Sequence, residues 1–74
     1  MDWRKHISVD PQVMHGTACV SGTRIPVSVV LDNLAAGMNA DQLLVEYPSL
    51  SSEAIAAALA YAAELVRDRV IALP

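Results

Sequence analysis

Phenylalanine is absent from the chain, and Trp and Tyr together supply only three residues, so the apolar content is almost wholly aliphatic. A single cysteine, Cys19, excludes an internal disulfide and fits a reducing compartment. Charged residues make up only 18% and net charge is -3, which leaves no excess of cations for a nucleic-acid surface. Long apolar runs are also missing. The longest, Ala54 to Ala63, is ten residues, half of what a membrane-spanning helix needs. Met1 to His6 carries Arg4 and Lys5 with no apolar stretch behind them, so no secretory leader is read and the cytoplasm is the expected compartment.

Aliphatic residues fill what these absences leave. Hydrophobic residues reach 54%, mostly Ala, Val, Leu and Ile, which excludes a disordered chain. At 74 residues there is room for one domain, and folding a chain this short removes only about 60% of its unfolded surface. One small core cannot readily hide so much aliphatic surface. The expectation is an oligomer, most simply a homodimer, or a module docked on another protein.

Charge is unevenly placed. Residues 1–37 balance Arg4, Lys5 and Arg24 against Asp2, Asp10 and Asp32. Residues 38–74 set Arg67 and Arg69 against Asp41, Glu46, Glu53, Glu64 and Asp68, so the deficit of -3 lies wholly there.

The chain divides by period into an arm, residues 1–26, and a helical body, residues 27–74, within one domain. In the arm, Ile7 and Val9 alternate with Ser8, Asp10-Pro11 makes a turn, and Val13, Ala18 and Val20 continue an extended pattern ended by Ser21-Gly22. Two such short strands form a hairpin that is marginal on its own. From Val27 the period becomes helical. Val27, Val30, Leu31 and Leu34 share a face, with Gly37 as a left-handed stop after Ala36. Asn39 caps a second short helix closed by Pro48, and Ser51 or Ser52 caps a third that runs to about Val70. The fold expected is mainly α, a tri-helical bundle behind a short β arm, with helices two and three in a helix-turn-helix arrangement.

On a helical wheel the third helix places Ile55, Ala58, Leu59, Ala62, Leu65 and Val66 toward the core. Glu53, Ala56, Ala57, Ala60, Glu64, Arg67 and Asp68 fall on the other side. If this helix reads DNA, Ser51, Ser52, Glu53, Ala56 and Ala57 meet the duplex: serine on phosphate or base edges, glutamate on the cytosine amino group, alanine on the thymine methyl. No Arg or Lys stands in its first three turns, so the commonest guanine contact is missing. As a protein contact, the same side offers Ala57, Ala60, Glu64 and Arg67, its alanines leaving the backbone approachable.

Gly22-Thr23-Arg24-Ile25-Pro26-Val27 is the densest local motif. Arg24, the one cation between Lys5 and Arg67, reads as clamping a carbonyl or carboxylate, with phosphate binding as the other reading. His6, His15 and Cys19 match no zinc spacing, and no phosphate loop or nucleophile elbow is present. No metal, cofactor or enzymatic activity is expected.

Five short strings, Ile7 to Pro11, Gly22 to Val27, Leu34 to Met38, Glu46 to Leu50 and Ala57 to Ala62, together resemble the family known as domain of unknown function 433. The resemblance spans about Ile7 to Arg69 and implies a homeodomain-like helix-turn-helix with a β arm. It further implies the antitoxin half of a bacterial toxin–antitoxin pair, with a PIN-like ribonuclease toxin as partner, dimerisation, and binding to its own promoter DNA. Thr17 and Ala18 stand where the family often has lysine and proline, which removes a cation from the arm. A protein-interaction module of the same fold, without DNA binding, is the rival expectation.

Overall fold

The structure is a computed structural model and describes residues 1–67. The third helix's expected run to about Val70, and Asp68, lie outside the described residues. Three helices follow an N-terminal arm: α1 (Val27–Ala35), α2 (Ala40–Glu46) and α3 (Ser52–Arg67). The arm contains β1 (Ile7–Ser8) and β2 (Cys19–Val20), antiparallel, with Ile7 opposite Val20 and Ser8 opposite Cys19. The molecule is therefore mainly α with a short β arm. Among the described residues no helix is long and apolar enough to cross a membrane.

The helix ends follow from their residues. Gly37, at φ +101°, closes α1 in a Schellman turn: its N–H donates to the Leu34 carbonyl at 3.0 Å and that of Met38 to Asn33 at 3.1 Å. Asn39 and Gln42 form a reciprocal capping box on α2, both bonds at 2.8 Å. Ser51 caps α3, its Oγ accepting from the Ala54 N–H at 3.1 Å.

In the arm, Asp10 organises the expected turn, its carboxylate accepting from the Gln12 N–H at 2.9 Å. The extended pattern stops sooner than its sequence suggests. Val9 is exposed, and Met14, His15 and Gly16 form one turn with positive φ throughout, so Val13 to Gly16 is a corner between strands. Gly22, at φ +78°, permits the turn after β2. Thr23 secures that turn, its hydroxyl donating to the Val20 carbonyl at 2.7 Å and accepting from the Ile25 N–H at 3.0 Å. Pro26 then bridges to Cys19 and leads directly into α1.

Arm and helices share one core. Ile7 and Val20 lie in the same cluster as Val27, Val30, Leu43, Leu50, Ala54, Ile55, Ala57 and Ala58. Trp3 packs edge-on against Tyr61 with ring centroids 4.8 Å apart, and its indole N–H donates to the Glu64 carboxylate. Arg4 lies over the Trp3 ring and reaches Glu64 at 3.5 Å. The arm is thus fastened along α3.

That fastening corrects the facing of α3. Ala57, expected in solvent, is completely buried, whereas Leu59, Leu65 and Val66, expected inside, are 49%, 45% and 63% exposed. Ala60 and Glu64, also expected outside, are half-buried. α3 is packed by α1, α2, β1 and the single 3-10 turn Trp3–Lys5 together, which centres its buried face on Ala54, Ala57, Ala58 and Tyr61, with Ile55 at its side. Small side chains suit close approach on so many sides. A wheel weighted by hydrophobicity turns leucine and valine inward and misses this.

Candidate functional site

The first turns of α3 hold most of the sequence-derived candidates. Ser51, Ser52, Glu53 and Ala56 are exposed there, one after another on the start of the helix. The Ser51 hydroxyl is already used as the cap, and Ser52 lies 3.4 Å from the Glu53 carboxylate. Ala57 is withdrawn into the core and touches nothing outside the protein. Arg24 is exposed but lines a separate depression of about 450 Å³ with Ser8, Asp10, Val13, Gly22 and Thr23. Among the described residues it clamps neither a carbonyl nor a carboxylate, so the motif around it is structural through Gly22, Thr23 and Pro26 and not through the arginine.

The second set of candidates is also divided. Ala60, Glu64 and Arg67 do come together, around a depression of about 330 Å³ that also takes in Met1, Trp3, Arg4 and Ala63. Glu64 is engaged by Trp3 and Arg4, while Arg67 is exposed. A third, larger depression of about 600 Å³ lies between the end of α1 and α2, lined by Asn33, Ala36, Gly37, Met38, Gln42, Val45 and Glu46. Val45 at its rim is 80% exposed.

The rotation of α3 brings forward residues that sequence reasoning missed. Ser52, Ala56, Leu59, Ala63 and Val66 are all exposed and point directly away from the core. At 100° per residue they span an arc of only about 80°, and at 1.5 Å per residue a length of about 21 Å. None carries a charge. Their spacing was the available signal: Ser52, Leu59 and Val66 recur at intervals of seven, as do Ala56 and Ala63. Beside this strip, Glu53, Ala60 and Arg67 form a second row of the same spacing, acidic at one end and basic at the other.

For chemistry the arrangement offers little purchase. Among the described residues no three of His, Cys, Asp and Glu gather into a metal-binding group, and Cys19 is buried. What the described surface of α3 presents is a narrow, uncharged face.

Comparison with known proteins identifies the family and supports the fold. A family described as "Protein of unknown function (DUF433)" matches residues 7–62. A protein of Sinorhizobium fredii named "Uncharacterized protein y4eO" is 39% identical over 59 residues, 80% of this chain. The matched stretch is 27% of that relative, so this chain spans about a quarter of its length. The crystal structure of a DUF433 member from Anabaena variabilis superimposes with a TM-score of 0.76 at 32% identity, covering 84% of this chain and 61% of the other. The strings from Ile7 to Ala62, the β arm and the three helices with their caps together make this chain a member of the DUF433 family.

Proposed function

We propose that this chain is a non-enzymatic, dimeric antitoxin-type module of the cytoplasm, which binds a PIN-like ribonuclease and holds it inactive. The observation that carries the dimeric part of this reading is the outward strip of α3, where Leu59 and Val66 are exposed. Protein surfaces of this kind are usually covered in use. Exposed Asp41, Glu46 and Glu53 add the negative charge that complements an RNA-binding cleft and speeds encounter with it. No metal or cofactor of its own enters the reading.

The test is co-purification of the chain with the protein encoded beside its gene, followed by RNA cleavage assays. Stoichiometric binding that suppresses cleavage supports the reading. A neighbouring nuclease whose cleavage is unchanged by excess chain removes it.

Promoter binding is the second reading, favoured by Ser52, Glu53 and Ala56 at the exposed start of α3 after the short turn from Tyr47 to Ser51. Six phosphate contacts would weaken binding about 10³-fold between 50 and 200 mM salt. Failure to retain a promoter duplex at low salt, with the toxin present, leaves the protein-interaction module without a DNA role.

A further inference from the structure

We propose that the outward face of α3 is the contact between two copies of this chain, paired antiparallel about a two-fold axis at the level of Ala60. The proposal rests only on the dimeric part of the reading above and stands apart from both toxin and DNA. The placement of charge argues for it. Glu53 and Arg67 lie on the same edge of the uncharged strip, each seven residues from Ala60, and both are exposed. Antiparallel pairing about Ala60 sets Glu53 of each copy level with Arg67 of the other, giving two reciprocal ion pairs. Parallel two-fold pairing sends this edge of the two helices to opposite sides of the pair, so neither Glu53 nor Arg67 gains an opposite charge. A surface that carries its own complement in reverse order is what an isologous dimer requires.

Shape follows the same register. Leu59 of one copy lies against Leu59 and over the small side chains of Ala60 and Ala63 of the other, beside the depression that Met1 and Trp3 help to line. Ala56 and Ala63 keep the two helices close, while Leu59 and Val66 act as the large side chains that fill the space between them. Ser52 reaches the neighbourhood of the partner's Arg67. The same pairing covers Ser52 and Ala56 and so excludes a duplex from the start of α3.

Sedimentation equilibrium of the full chain at micromolar concentration tests the pairing, with circular dichroism to verify folding. The expected species is a dimer that Leu59→Glu converts to a folded monomer. Glu53→Arg and Arg67→Glu should each weaken self-association about tenfold. Mixed in equal amounts, the two variants should recover wild-type association, because every pair across the axis is then opposite in sign. A wild-type monomer overturns the proposal, as does a dimer that survives Leu59→Glu or charge variants that neither weaken nor rescue. Duplex retention that is lost in Ala56→Glu and undiminished in dimeric wild type assigns the face to DNA and overturns it equally. A dimer with the stated behaviour that fails to restrain the neighbouring nuclease leaves the pairing intact and removes only the antitoxin reading.

Discussion

The two faces of α3 reverse the usual order of a surface helix. Its inward side is Ala54, Ile55, Ala57, Ala58 and Tyr61, with alanine at three of the four buried positions, while its outward side carries Leu59 and Val66. Burial therefore follows fit and not side-chain apolarity. Alanine is inside because α1, α2 and the arm all approach the same helix, and only a small side chain admits them together. Leucine and valine are outside because, among the described residues, no other element packs over them.

Adjacent residues break this contrast most sharply. Ala57→Glu puts an unpaired carboxylate in the core and should cost at least about 3 kcal/mol, enough to abolish cooperative thermal unfolding in a chain this small. Ala58→Leu tests fit without charge: overpacking should destabilise by about 1–3 kcal/mol in urea titration, although the substitution adds apolar surface. Trp3→Ala asks whether the arm fixes the rotation of α3. Removing its contacts to Tyr61 and Glu64 should cost about 2 kcal/mol and raise amide exchange along the middle of α3. Ala56→Glu, one residue from the first substitution, should change the stability of the folded monomer by no more than about 0.5 kcal/mol. Equal effects of Ala56→Glu and Ala57→Glu would erase the distinction between the faces.

The sequence is explicit wherever structure is local. Gly37, the Asn39 and Gln42 box, the Ser51 cap and the Asp10-Pro11 turn each act over a few residues, and each stands where its residue type requires. The change of period at Val27 is likewise readable and, with these end signals, marks out the β arm and the three helices. The facing of α3 was not, because it is decided by Trp3 and Ile7, about sixty and fifty residues away along the chain, and no wheel contains them. The site suffered accordingly. Glu53, Ala56 and Arg67 are exposed as expected, Ala57 is buried against expectation, and Leu59 and Val66, expected inside, are exposed. The corner at Met14 and His15 also escaped, since positive φ is uncommon outside glycine and the enrichment of histidine there is too weak a signal to mark a turn.

Thiol alkylation at single introduced cysteines, followed by mass spectrometry under reducing conditions, probes the central claim most directly. Native Cys19 is buried and should react slowly throughout. A cysteine replacing Val45, on the open rim between α1 and α2, should react quickly at every protein concentration. A cysteine replacing Leu59 should match it at nanomolar concentration and fall at least about tenfold behind at tens of micromolar, as the α3 faces meet. If positions 45 and 59 react alike across that whole range, the outer face of α3 stays in water and the account is wrong.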